Sequence, residues 1–301
     1  MLSNMPRKLF VGFGSLIVLL ACLGCASEAK KGRVANQIQV IASVQDITAT
    51  FYEARIAAAA HAATGDPTYA RIVEIYVDSI YDACNSVLDI IVNPENRELI
   101  MQIQRDVNEF GRLDDALAAL NQELRERRVE RVIATNGIFD SLMRVQEIVR
   151  SAATASAREI EVNGMYVEYV HLDRLRAMDR IAFIQRHVGL ARVAAMNFET
   201  ALEQNDRNRF WVILESELMA MDVEIGELEN YIVSPQGRQA ITDLRRFTAD
   251  WKQASDAIGG IITRRATNSA EVERLSTHIT DKLAGIRATA VRGTLTLVKA
   301  P

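Results

Sequence analysis

Proline and aromatic residues are scarce in this sequence. Only 5 of its 301 residues are proline, and 6% are aromatic. Proline breaks a helix from within, so long stretches without it leave room for long helices. The apolar residues are mostly Ala, Leu, Ile and Val mixed with Glu and Arg, a combination with high helix propensity. Few aromatics and 15 glycines argue against a β-sandwich. The composition predicts an all-α fold.

An excess of basic residues and a set of paired cysteines are also missing. The net charge is −4 and the pI is about 5.7, so no electropositive surface for nucleic acid is predicted. Cys22 and Cys25 have C-x-x-C spacing, but no strand–helix pattern surrounds them and no histidine follows, as redox or haem motifs require. Cys84 stands alone and is expected to be a small core or near-surface residue on a helix.

No catalytic or metal-binding pattern is visible. The 4 histidines never fall four residues apart or in H-E-x-x-H form, so no zinc site is predicted. They are His61, His171, His187 and His278. The glycines of "VGFGSL" lie inside the N-terminal apolar run rather than in a phosphate-binding loop. We expect no enzymatic activity and no metal or other cofactor.

The N-terminus carries an uncharged apolar run over residues 9–26, preceded by Arg7 and Lys8. Roughly 18 residues at ~1.5 Å each give ~27 Å, enough for a helix to cross a bilayer. We therefore expect residues 1–8 to be cytoplasmic and residues 9–27 to form a transmembrane helix or signal anchor.

Two other interpretations of this run stay open. One is a cleaved secretory signal, and the other is a lipoprotein signal acylated at Cys22 or Cys25. In the anchored interpretation the protein sits in the inner, cytoplasmic membrane by one visible span. The bulk of the chain, residues 28–301, is then extracytoplasmic or periplasmic.

A phrase of the sequence occurs twice. "IIVNPENRELI" at 90–100 returns as "YIVSPQGRQAI" at 231–241, which places Pro94 and Pro235 141 positions apart. The same shift carries Ile100, Ile103, Phe110, Leu113, Leu117 and Leu120 onto Ile241, Leu244, Trp251, Ala254, Ile258 and Ile261. These spacings of three, four and seven predict amphipathic helices that begin at the prolines. The chain thus contains an internal repeat with a period of about 141 residues.

We expect six antiparallel helices. Their predicted ends are Val92, Asn121, Gly164, Val233, Gly260 and the C-terminus, with an irregularity at Gly65-Asp66-Pro67 and another stop at Asn136-Gly137. Helices one and four are then long and helices two and five short, and two stacked four-helix bundles accommodate such unequal lengths. The near module would use residues 30–64 and 206–301, and the far module residues 66–204.

The segment "EARIAAAAHAATGDPTYA" after the apolar run, together with the repeated proline turn, resembles the helical bimodular sensor domain. This domain is the ligand-binding part of certain methyl-accepting chemotaxis receptors and some sensor kinases, and the resemblance covers roughly residues 30–300. It implies extracytoplasmic sensing of a small organic anion, a carboxylate, by a membrane-anchored homodimer. The alternative is an exported structural or scaffolding helical protein, or a lipoprotein, without a ligand.

In that family, arginines on the long helices hold the carboxylate. Well-studied members carry two arginines three apart on the first helix, whereas here Arg55 is followed by Ala58, which leaves a dicarboxylate preference open. Counting depth along the predicted helices gives a ligand-binding site of Tyr52, Arg55, Trp251, Lys252 and Ser255. The second, far-module site comprises Tyr76, Phe110, Arg112 and Arg192.

The alternative for these residues is structural, with Arg55 on the surface and Trp251 filling the core. The charge-rich stretch "ELRERRVERV" at 123–132 is expected to be a solvated helix face with pairs such as Glu123–Arg127.

Overall fold

The computed structural model describes residues 28–159, 164–201 and 203–299, and within these ranges the chain forms helices and no strands. The six helices are α1 Glu28–Thr64, α2 Pro67–Ile90, α3 Pro94–Glu159, α4 Gly164–Thr200, α5 Gln204–Glu229 and α6 Pro235–Lys299. The predicted all-helical class is confirmed.

The predicted membrane span of residues 9–27 lies outside the described residues, as do Cys22 and Cys25. Of the six helices that the structure describes, none combines the length and the apolar character that crossing a membrane requires.

Proline begins three of the helices, and a polar side chain precedes it each time. The Asp66 carboxylate accepts a hydrogen bond from the Thr68 amide at 2.9 Å, directly after Gly65, whose φ is 66°. The Oδ1 atom of Asn93 accepts from the Asn96 amide at 3.1 Å, one residue before Pro94. These caps satisfy amides that have no partner within the helix, and proline lacks such an amide. The start predicted at Pro94 is confirmed.

The second predicted start, at Pro235, is confirmed in the same way. Ser234 supplies the cap, and its Oγ accepts a hydrogen bond from the Gly237 amide at 3.1 Å.

The predicted helix order needs correction. The irregularity at Gly65-Asp66-Pro67 is a complete chain reversal, so the predicted first helix is the antiparallel pair α1 and α2, and Asn36 of α1 donates to the Ile90 carbonyl at 3.2 Å. The predicted fourth helix is likewise interrupted between Thr200 and Gln204. Conversely, no stop occurs at Asn121, Asn136-Gly137 or Gly259-Gly260. The long helices are therefore the third and the sixth, α3 with 66 residues and α6 with 65.

The chain divides into two compact units, which differ from the predicted modules. Of the described residues, unit 1 holds 28–121 and 266–299, and unit 2 holds those between 122 and 265. Unit 1 is built from α1, α2, the first part of α3 and the last part of α6. Its core includes Phe51 of α1 and Phe110 of α3, whose rings meet edge to face with centroids 5.4 Å apart.

Unit 2 is built in the same way, from two short helices and parts of the two long helices. It combines α4, α5, the first part of α6 and the last part of α3. Trp251 of α6 is buried here, and its indole Nε1 donates to the Thr135 hydroxyl of α3 at 2.9 Å. Phe198 of α4 and Trp211 of α5 add a second aromatic contact, with centroids 5.2 Å apart.

The division into two units shows how the two sequence repeats contribute helices to the fold. Each repeat supplies two short helices and one long helix, α1–α2–α3 and then α4–α5–α6. The first part of each long helix packs with its own short pair, and its last part completes the core of the unit formed by the other repeat. Both units are four-helix assemblies, and neither contains a complete repeat.

Candidate functional site

The predicted ligand-binding residues divide between the two units. Tyr52 and Arg55 of α1 belong to unit 1, where the Arg55 guanidinium lies 6.0 Å from the Tyr52 ring centroid. Arg55 also pairs with Glu273 of α6, Nη2 to Oε2 at 3.5 Å. Both Tyr52 and Glu273 are exposed. This guanidinium therefore already has an acidic partner on an open surface.

Trp251, Lys252 and Ser255 belong to unit 2, on α6. The Trp251 indole is buried and bonded to Thr135. Lys252 is exposed and pairs with Asp256 one turn away, Nζ to Oδ2 at 2.9 Å. Ser255 is buried, and its hydroxyl has no hydrogen-bond partner among the residues that the structure describes. The depth count that joined these residues to Arg55 assumed an unbroken first helix, which the structure does not have.

The residues of the second predicted ligand site also divide between the two units. Tyr76, Phe110 and Arg112 lie in unit 1, and Arg192 lies in unit 2. Phe110 is core, and Arg112 is exposed and pairs with Glu109 on its own helix at 2.7 Å. A hydrogen bond to Glu53 raises the pKa of Tyr76.

A different group of arginines gathers in unit 2. Arg128 and Arg131, one turn apart on α3, both bind Glu199 in the last turn of α4. The Nε and Nη2 atoms of Arg128 each lie 2.7 Å from Oε2, and Nη2 of Arg131 donates to Oε1. The Glu199 side chain is 8% exposed and that of Arg131 15%, so this is a largely buried ion pair.

Two further arginines extend this group. Arg207, in the first turn of α5, donates from Nε to the Ala201 carbonyl at 2.9 Å. Burial lowers the pKa of Arg265 on α6, and the charges of Arg128 and Arg207 lower it further. Arg265 thus interacts electrostatically with both. We call Arg128, Arg131, Arg207 and Arg265, with Glu199 among them, the arginine cluster.

In the arginine cluster, two guanidinium groups bind one largely buried carboxylate. Like charges brought together out of water favour binding of an anion, which reduces the repulsion. Guanidinium also presents a planar fork that matches two carboxylate or phosphate oxygens. The arrangement is chemically suited to holding a small anion.

The sequence contained a signal for this site, in the stretch at 123–132 that the local spacing of charges predicts to be a solvated helix face. Within the stretch at 123–132, Arg127 does pair along its own helix, with Glu130 at 2.8 Å rather than with Glu123. Glu123 instead binds Arg264 of α6 at 3.0 Å. Arg128 and Arg131 turn to α4. Arg128 and Arg131 have no acidic residue three or four positions away on their own helix, and this pointed to a partner on another helix.

Unit 1 has a different buried polar feature, a contact between His61 of α1 and Asp114 of α3. Both side chains are almost completely enclosed, at 1% and 2% exposed. A substrate has no access to groups so deeply enclosed, so we treat this pair as part of the scaffold rather than as a reaction centre.

Comparison with known proteins returns no match, either to a protein family or to a curated protein sequence. The residues and their geometry are therefore the basis for assigning a function.

Proposed function

We propose that the protein is the ligand-binding part of an extracytoplasmic sensor for a small organic anion, of the chemotaxis-transducer type. The observation that supports this most directly is the arginine cluster of unit 2, where Arg128 and Arg131 together bind both oxygens of the Glu199 carboxylate. The all-helical architecture with two four-helix units is compatible with the resemblance to bimodular sensor domains.

The ligand in this proposal is a carboxylate-bearing molecule held by guanidinium forks. Arg128 and Arg131 of α3 would bind one carboxylate, and Arg265 would add charge from α6. Charge-assisted bonds of this kind are about twice as strong as neutral ones. Membrane anchoring through residues 9–27 and homodimerisation belong to the same proposal. Light scattering of the purified protein with and without the ligand tests the dimer.

A thermal-shift screen of small carboxylates tests ligand binding. A ligand present at about 100 times its Kd adds ~2.7 kcal/mol to the free energy of unfolding, which such a screen detects easily. If no anion stabilises the protein, the scaffolding alternative replaces the sensor proposal.

Matched variants then locate the site. Arg128→Gln should abolish the stabilisation by ligand. Arg144→Gln is the control, because Arg144 lies on the same helix, is 54% exposed against 48% for Arg128, and also pairs with a carboxylate, that of Asp243. Arg55→Gln tests the site predicted from the sequence. If Arg55→Gln removes binding and Arg128→Gln does not, the ligand binds in unit 1 and the arginine cluster is not the site.

A further inference from the structure

The arginine cluster already contains a carboxylate supplied by the chain itself. Both oxygens of Glu199 are engaged, Oε2 by Arg128 at 2.7 Å and Oε1 by Arg131. This is the geometry in which an external carboxylate would be held, since the two groups are chemically the same. Glu199 therefore occupies the position that a ligand needs.

The position of Glu199 along its helix is unfavourable without these arginines. It lies in the last turn of α4, next to Thr200 at the helix end. The carbonyl groups at the C-terminus of a helix carry partial negative charge, which favours cations there and disfavours a carboxylate. Arg128 and Arg131 therefore hold the end of α4 against its own electrostatic preference.

The arginine cluster also binds the chain immediately after α4. Arg207 donates to the Ala201 carbonyl, so cluster residues hold the chain on both sides of Thr200. A change in the partners of the arginines would consequently be felt at the junction between α4 and α5.

We infer that Glu199 is a built-in competitor, which an incoming carboxylate must displace from Arg128 and Arg131, and that its displacement loosens the last turn of α4. This inference rests on the proposed function. Glu199 lowers the apparent affinity for the ligand, because only the fraction of molecules with the arginines vacated is competent to bind. Binding and the structural response are then one event, as a sensor requires.

Calorimetric titration of the whole protein with citrate, and separately with sulfate, tests the competition. Glu199→Gln keeps the size of the side chain and removes its charge, so it should bind citrate at least about 10-fold more tightly than the parent protein. Glu224→Gln is the matched control, because Glu224 also lies in unit 2 and binds an arginine, Arg180 at 2.8 Å, outside the cluster. It should bind like the parent.

Hydrogen exchange gives a second readout that a purely structural ion pair would not produce. The amide of Ala201 donates to the Asn197 carbonyl at 2.9 Å and reports on the end of α4. Citrate should speed exchange at 197–201 in the parent. In Glu199→Gln this exchange should be fast already. If Glu199→Gln does not fold, Glu199→Asp, which withdraws the carboxylate by one methylene, should tighten citrate binding less but in the same direction.

The outcomes separate the two proposals. If the parent, Glu199→Gln and Glu224→Gln all bind citrate equally, Glu199 is only a structural tie and the competitor inference is overturned, while anion sensing stands. If neither the parent nor Glu199→Gln binds citrate or sulfate, the arginine cluster is not an anion site and the competitor inference fails. The carboxylate screen and Arg55→Gln then decide whether the protein senses an anion elsewhere. If Glu199→Gln binds both anions more tightly than the parent, and Glu224→Gln binds them like the parent, the result supports competition between the Glu199 carboxylate and the ligand.

Discussion

The Nδ1 atom of His61 lies 3.2 Å from Oδ2 and 3.3 Å from Oδ1 of Asp114, inside unit 1. His61 belongs to the last turn of α1, and its carbonyl accepts from the amide of Gly65 at the chain reversal. Asp114 lies on α3, 53 residues away. The contact therefore joins the end of α1 and the turn that follows to the long helix.

Breaking this pair from one side should destabilise the protein strongly. His61→Leu leaves the Asp114 carboxylate buried without its partner, and removal of one member of a buried pair costs about 3–5 kcal/mol. The double variant His61→Leu/Asp114→Leu should recover most of that loss, because two apolar side chains can replace a buried pair. Urea unfolding at neutral pH measures both. A single variant as stable as the parent would show that the pair contributes little.

The pKa of Asp114 should set the direction in which the free energy of unfolding changes with pH. Burial raises the pKa of Asp114, the hydrogen bond and charge of His61 oppose that effect, and the charge of Asp115 adds to it. A carboxyl whose pKa is higher when folded contributes its stability fully below the unfolded pKa, about 3.9, and loses it as the pH rises through the folded value.

The parent should accordingly lose free energy of unfolding relative to Asp114→Asn as the pH rises from about 4, near the unfolded pKa, through the raised folded pKa. Urea unfolding of both proteins across this range gives the difference at each pH. Asp78→Asn, at an exposed position of α2, is the control and should follow the parent. A parent that gains stability relative to Asp114→Asn with rising pH would mean that the interaction with His61 outweighs the burial of Asp114.

The helix starts were predictable where the local chemistry is unambiguous. Pro94 and Pro235 each follow a polar capping residue and precede a strongly amphipathic stretch. Gly137 and Gly259 gave wrong helix ends, because the helix cost of glycine, about 1 kcal/mol relative to Ala, is outweighed when apolar neighbours on both sides pack into a core. Gly137 and Gly259 thus lie within helices, whereas the Gly65 turn was underestimated.

The candidate site was less predictable than the fold for a related reason. Local spacing finds arginines, but it does not say which distant carboxylate each will meet. Arg131 and Glu199 are 68 residues apart and belong to different repeats. Their contact depends on the last part of α3 joining α4 and α5 in unit 2, and this follows from the exchange of the long helices rather than from any local pattern.

The hydrogen bond between Trp251 and Thr135 offers a clean test of buried polar pairing in unit 2. Thr135→Val keeps the shape of the side chain but leaves the indole N–H without its acceptor, 2.9 Å away in the parent. An unsatisfied buried donor costs about 1–3 kcal/mol. Thr135→Ser retains the hydroxyl and should lose less. Equal losses in the two variants, measured by urea unfolding, would assign the effect to packing and not to the hydrogen bond.

Two helical glycines should respond to alanine with opposite signs. A Cβ at Gly137 would lie 2.5 Å from the Cγ and Cδ1 atoms of the Phe247 ring, so the ring of α6 must move away from α3. Such overpacking costs about 1–3 kcal/mol, which exceeds the gain in helix propensity. A Cβ at Gly260, in α6, meets nothing within 4 Å. Gly260→Ala should therefore stabilise the protein by about 0.5–1 kcal/mol through the reduced entropy of the unfolded chain.

Urea unfolding of both variants beside the parent measures the contrast. If Gly137 marked a helix end, as the sequence suggested, Gly137→Ala would cost little, because a Cβ there would meet no neighbouring helix. If Gly260 ended the predicted fifth helix, Gly260→Ala would destabilise the protein. Destabilisation by Gly137→Ala together with stabilisation by Gly260→Ala requires continuous helices at both positions, and a close approach of α3 to Phe247 at the first.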